Sequence, residues 1–172
     1  MRALFVGRFQ PLHIGHINAI LEILKDNDEI IIGIGSAQES WTLKNPFTAG
    51  ERFEMFLREE NFKNFKERLL IVPILDINNH SIWVKYVCSL IPKFDVVYTR
   101  NPLTKILFEK EGFKVKEQEV YYFDENKKIE FSGTEIRRRI IEGKDFKGLI
   151  SDSTYKFLEE INGIERLKNL KE

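Results

Sequence analysis

"GRFQPLHIGH", Gly7 to His16, is the stretch on which the reading of this chain turns. It holds two of the chain's three histidines, two glycines, a proline and an arginine. The apolar run before it, Ala3–Gly7, reads as a fully buried strand. The segment after it, Ile14–Lys25, has apolar residues at Ile17, Ile20, Leu21 and Leu24 and reads as an amphipathic helix. The start of such a helix offers free N–H groups and the positive end of its dipole, which favour an anion. His13 precedes the helix and His16 lies in its first turn, so a spacing of three puts both imidazoles on one side. Gly15 between them lets a ligand approach the backbone closely. Two ring N–H donors, backbone amides and Arg8 would converge on one point, which describes a phosphate site. Two other readings compete. A loop with two surface histidines accounts less well for the added arginine, glycine and helix start. Zinc would need more ligands, and His80 and Cys88 are distant in sequence while the loop has no carboxylate.

Outward from this loop, apolar runs alternate with helical patterns. EIIIGIGS (Glu29–Ser36), RLLIVPIL (Arg68–Leu75) and FDVVYT (Phe94–Thr99) are rich in β-branched residues, as a parallel sheet covered on both faces requires. TAGE (Thr48–Glu51) spells a capping box that opens a helix through Glu59. A third helix is expected over Ser81–Ile91, stopped by Pro92, and Asn101-Pro102 caps and opens a fourth. A fifth strand is expected near Phe113–Val120 and a turn at Glu125–Lys128. Beyond it, SGTE at Ser132 spells a second capping box, and Tyr155–Ile161 and Ile164–Leu170 read as short closing helices. The alternation predicts a doubly wound, Rossmann-like α/β fold with a parallel sheet and C-terminal helices. A length of 172 residues fits one domain, its segment 131–172 helical.

Composition narrows the function classes. The formal net charge is zero, so nothing global argues for a polyanion partner, and no nucleic acid is expected. Cys88, the sole cysteine, makes no internal disulfide and reads as a small buried hydrophobe. Met1–Val6 is too short for a signal peptide and no apolar stretch matches a membrane span, so a soluble cytoplasmic protein is expected. GIGS at Gly33–Ser36 lacks the full dinucleotide fingerprint and ends the second strand, which disfavours a dehydrogenase.

The pattern formed by Gly7, Phe9, Pro11, His13, Gly15 and His16 resembles the nucleotidyltransferase superfamily with the HxGH signature. Ser132, Thr134, Ile136 and Arg137 of SGTEIR match that superfamily's second motif. Arg8-Phe9-Gln10, GSAQES, NPFTAGER and DINNHSIW narrow the resemblance to archaeal-type nicotinamide-mononucleotide adenylyltransferases, from Met1 to about Ile161. The resemblance implies adenylyl transfer from ATP to nicotinamide mononucleotide (NMN), giving NAD and pyrophosphate. It implies His13, His16, Arg8 and Arg137 at the reacting phosphates, with Gly7, Phe9, Gly15, Lys44, Ser132 and Thr134 around ATP. On the NMN side it implies Ser36, Gln38, Asp76, Ile77, Asn79 and Trp83, the last stacked on the pyridine ring. Mg²⁺ or another divalent cation would ride on the ATP phosphates, with no metal ligands from the chain. A homo-oligomer, often a hexamer, is implied too. Arg138 and Arg139 read as a solvated basic face, and Trp41 stands where relatives often carry histidine. Gln10-Pro11 disfavours sister enzymes acting on phosphopantetheine or FMN, which typically show Asp-Pro there. A non-catalytic NAD- or ATP-binding sensor is the alternative from another class.

Overall fold

The computed structural model describes residues 1–117, 121–124, 127–130 and 132–170. Five short apolar runs form one parallel sheet: β1 (Arg2–Gly7), β2 (Glu29–Ile34), β3 (Leu69–Pro73), β4 (Val96–Tyr98) and β5 (Val115–Lys116). Their spatial order is β3-β2-β1-β4-β5. β1 is central, registered from Arg2↔Glu29 to Gly7↔Ile34 on one side and from Ala3↔Val96 to Phe5↔Tyr98 on the other. Order reverses between β1 and β4, the switch point at which doubly wound sheets bind ligands beyond the carboxyl ends of their strands. The β-branched composition follows from burial on both faces: Ala3, Leu4, Ile30, Ile31, Ile32 and Ile34 are all inaccessible to solvent.

The described residues divide into two compact units built from interleaved segments. The first takes Met1–Gly7, Ala19–Ala37 and the chain from Phe65 through β5. Its core joins Leu4, Ile31 and Val97 of the sheet to Val84 and Val87 of α3 (His80–Leu90) and Phe108 of α4 (Pro102–Lys110). Gly33 marks a tight approach in the sheet, since a Cβ there would lie 2.7 Å from Ile74. Arg68 stops α1 (Ile14–Asp26): its guanidinium donates to the carbonyls of Leu24, Asn27 and Asp28, satisfying groups that a helix end leaves open. Asn79 caps α3, which therefore starts at His80, one residue earlier than its sequence pattern suggests. Asn101 and Pro102 open α4 as expected.

The second unit takes Arg8–Asn18, Gln38–Asn64 and the chain from β6 (Tyr121–Asp124) onward. It holds α2 (Ala49–Arg58), α5 (Gly133–Ile141), α6 (Asp152–Glu160) and α7 (Gly163–Asn169). The Thr48–Glu51 capping box is formed in full, and Glu59 closes α2 as its C-cap. The second expected box is half made. Ser132 accepts from the Glu135 N–H, but the Glu135 carboxylate is taken by Arg138 and Arg139 instead of returning to the Ser132 backbone. The expected turn at 125–128 is also revised: Lys127 and Lys128 belong to β7 (Lys127–Glu130), antiparallel to β6. Glu125 and Asn126 lie outside the described residues, as do 118–120 of the expected fifth strand, which is described only over Val115–Lys116.

Candidate active site

The Gly7–His16 loop is built around its histidines. His13 is the residue before α1, and its Nδ1 accepts from the His16 backbone N–H at 3.2 Å. It acts as an N-cap, so the proton of its neutral ring lies on Nε2. One amide expected to face an anion is thus already occupied. The two imidazoles stack with centroids 3.5 Å apart, and the edge of Phe9 meets His16 at 4.8 Å. Burial pushes the His13 pKa down to about 3. Burial, then the charge of His13, pushes His16 well below the usual imidazole range. Both rings are neutral at physiological pH and offer hydrogen bonds without net charge. His16 Nδ1 is buried without a hydrogen-bond partner. Phe9 is core, its ring 4.9 Å from Phe56, so toward a ligand it offers main chain only. Gly15 is buried in the first turn of α1.

Positive charge comes from elsewhere in the same unit. Arg137 on α5 is 6% exposed, and its guanidinium donates to Gln10 O at 2.8 Å, Leu43 O at 2.9 Å and Thr134 Oγ1 at 3.2 Å. All three acceptors are neutral. Burial, then repulsion from Arg8, lowers the Arg137 pKa to about 10. Arg8, Lys44 and Arg137 line one open cleft of about 400 Å³ together with Leu43 and Thr134. Among the described residues none of the three cations has an ion-pair partner. Arg138 and Glu142 also border the cleft, but they pair with each other, and Arg138 engages Glu135 as well. The split between Arg137 and its two neighbours is therefore physical: one faces neutral oxygens, the others face carboxylates. His13 and His16 are not among the residues lining this cleft. Ser132 caps α5 and Thr134 supports Arg137, so each hydroxyl has a local task.

Two supporting residues escape a sequence reading. Gln10 forms a closed amide pair with Phe47, donating to its carbonyl and accepting from its N–H, both at 2.9 Å. Arg52, fully buried on α2, donates to Arg8 O at 2.9 Å and Thr48 O at 3.2 Å. Buried polar side chains within NPFTAGER and beside Pro11 are the only sequence signal, and their partners are remote in the chain.

The remaining expected residues lie mostly in the first unit, on loops leaving the carboxyl ends of β2 and β3. The Ala37 N–H donates to Ile74 O at 3.0 Å, joining those loops. Ser36 is half-buried with φ +48°. Gly7 closes β1, and its carbonyl accepts from Gly35 N–H at 2.9 Å. Asp76 is exposed and Ile77 half-buried. The Asn79 side chain is engaged as the α3 cap. Trp83, in the first turn of α3, is half-buried and meets Phe108 edge-on at 5.7 Å. Gln38 is exposed and falls in the second unit. Among the described residues no group of three or more His, Cys, Asp or Glu side chains is placed to hold a metal ion. Nor is any described helix long and apolar enough to cross a membrane.

Comparison with known proteins gives the family and the fold. Residues 4–139 match the cytidylyltransferase-like family. The chain is 51% identical over 170 residues to the nicotinamide-nucleotide adenylyltransferase of Pyrococcus abyssi, covering 99% of this chain and 89% of that one. It is 47% identical over 174 residues to the enzyme of the same name from Archaeoglobus fulgidus, with 99% and 97% covered. In fold it resembles a bifunctional NMN adenylyltransferase/ADP ribose pyrophosphatase from Francisella tularensis solved with AMP and a manganese ion. The TM-score is 0.74 at 22% identity, over 97% of this chain and 51% of that one, so the chain spans about half of that protein. The chain belongs to the cytidylyltransferase-like family, among the nicotinamide-nucleotide adenylyltransferases.

Proposed function

We propose that this chain transfers AMP from ATP to NMN, giving NAD and pyrophosphate. The observation that carries the site is the cleft where Arg8, Lys44 and Arg137 stand without an ion-pair partner among the described residues. A bound triphosphate would supply one. In the reaction, a 5′-phosphate oxygen of NMN attacks the α-phosphorus of ATP, and the bond from that phosphorus to the bridging oxygen breaks, releasing pyrophosphate. The attacking oxygen is already anionic, so no general base is needed, and the depressed histidines fit a role other than proton abstraction. Rate then depends on positioning and on stabilising charge that develops on the departing oxygens. His13 and His16 would donate neutral hydrogen bonds at the α-phosphate and bridging oxygen. The three cations would hold the β- and γ-phosphates. Gly7, Gly15, Ser132 and the main chain of Phe9 would border the nucleotide. A divalent cation such as Mg²⁺ would enter with ATP as its counter-ion, since no described cluster of chain ligands offers it a seat.

For NMN we assign main-chain groups near Asp76 and Ile77 to the carboxamide, Ser36, Gln38 and Asn79 to polar contacts, and the Trp83 ring to the pyridine. An indole face suits a flat cationic ring. The likeness to the Pyrococcus and Archaeoglobus relatives supports this substrate pair. We also propose a homo-oligomer, as the family resemblance implies, to be checked by light scattering. Following pyrophosphate release with ATP plus NMN tests the activity; release should disappear when NMN is replaced by phosphopantetheine or FMN. His16→Ala should lower turnover by orders of magnitude while the chain stays folded, and near-normal turnover would overturn the phosphate role.

A further inference from the structure

Trp41 is an exposed aromatic in a left-handed conformation, φ +58°, at the start of the loop that carries Lys44. It stands under a guanidinium from far along the chain: Cζ of Arg166, on α7, lies 4.0 Å from the ring centroid. The Arg166 side chain is 7% exposed. Its Nη1 and Nη2 each reach a Glu51 carboxylate oxygen at 2.7 Å, and Nη1 also donates to Pro46 O at 3.1 Å. Nε is left buried without a partner. Glu51 closes the capping box of α2 through Thr48 as well. The first residue of α7, Gly163, sits so close to Phe47 that a Cβ would fall 2.9 Å from its ring.

The loop between these grips has two sides. Toward Arg166 it presents the Trp41 ring and the Pro46 carbonyl. Toward the cleft it presents Lys44, the Leu43 carbonyl that receives Arg137, and Asn45 Oδ1 facing Arg8 at 3.4 Å. Its internal bonds, Trp41 N–H to Pro46 O at 3.4 Å, Thr42 N–H to Asn45 O at 3.3 Å and Asn45 N–H to Thr42 Oγ1 at 3.0 Å, shape the turn itself but tie it to nothing outside. A buried ion pair of this kind adds little net stability, whereas its geometry is directional.

We propose that Arg166 is a positioning residue for ATP: by clamping Trp41, Pro46 and Glu51 it sets where Lys44 and the Leu43 carbonyl stand. The inference rests on the reading of the cleft as the triphosphate site.

Three variants test it in the full chain: Arg166→Met, which keeps packing volume, Trp41→Ala, at an exposed position that the fold tolerates, and Lys44→Ala. Each is assayed for kcat and for the KM of ATP and of NMN, alongside its melting temperature. Arg166→Met should raise the KM for ATP by about tenfold with the KM for NMN nearly unchanged, since a displacement of about an ångström at a binding group is costly. Trp41→Ala should raise the ATP value alone, by about threefold. In a Lys44→Ala background, Arg166→Met should add less than it does alone, because one of the two groups it positions is gone. Equal factors in both backgrounds, or the two KM values rising together, would overturn the clamp. Should Arg166→Met fail to fold, an unchanged ATP KM in Trp41→Ala overturns it. If Lys44→Ala itself leaves the ATP KM unchanged, the cleft reading falls and the clamp with it; a raised value in Lys44→Ala with none in the other two variants overturns the clamp alone.

Discussion

The buried histidines make the fold sensitive to mild acid, and the size of the effect follows from the structure. His13 is 2% exposed, and its pKa falls from 6.5 to about 3 on folding. A histidine depressed in the folded state binds fewer protons there than in the unfolded chain. Its contribution to stability is therefore complete above pH 6.5 and is lost as the pH falls from there toward 3. Between pH 7 and pH 5 the loss from His13 is about 2 kcal/mol, from 1.36 kcal/mol per pKa unit over the interval below 6.5. For a chain of this length that corresponds to a drop of roughly 4–8 °C in Tm. His16, shifted in the same direction, adds to it. Carboxylates contribute little in this window because their ordinary values lie below it. The control is His13→Asn, because asparagine caps helices well and can accept from the His16 N–H without titrating. Urea unfolding at pH 7, 6 and 5 should show the wild-type chain losing about 2 kcal/mol more than the variant. Equal losses in the two chains would refute the assignment of a neutral, buried His13.

Three further outcomes follow from the same geometry. Gly133→Ala would place a Cβ 3.0 Å from Gln10 O and 3.2 Å from Arg137 Nη1, so it should raise the KM for ATP about five- to tenfold in a folded chain; an unchanged KM contradicts the close packing of α5. Arg137→Ala should raise the ATP KM at least about tenfold, while Arg138→Ala, whose half-exposed guanidinium is engaged by Glu135 and Glu142, should change it by less than about twofold; steady-state kinetics in the reverse order would mean that the wrong arginine has been placed on the phosphates. Trp83→Ala should raise the NMN KM by about tenfold, as loss of one stacking contact does, and also lower Tm because the ring packs on Phe108; a lower Tm with an unchanged NMN KM would reduce Trp83 to a core residue.

The sheet was legible because burial on both faces forces continuous β-branched runs, and Ile30–Ile32 could hardly be placed otherwise. Helix starts were legible where capping is local, as at Thr48 and Asn101. Ser132 shows the limit of that reasoning: Glu135 had competing arginines one turn on, and they won its carboxylate. The β6–β7 hairpin was hidden because two four-residue strands have too few positions to display a period. In the candidate site, the pairing of the His13 and His16 rings was legible in their spacing, but His13's use of Nδ1 as a cap was not. Gln10, Arg52 and Arg166 carry no local signal. Their partners lie 37, 44 and 115 residues away, and only folding reveals them.

The bond from Arg137 to Gln10 O spans 127 residues of chain. That separation fixes an order of events during synthesis. Arg8, Gln10 and Lys44 leave the ribosome long before α5 can supply the guanidinium that ties their loops together, and Arg166 emerges later still. Until then Phe47 lacks the cover that Gly163 and Arg166 give its ring. Contacts between such distant segments form slowly, which lengthens the interval in which a growing chain is exposed to chaperones and to aggregation. A nucleotide bound as proposed would stabilise the cleft only after Arg137 had been made.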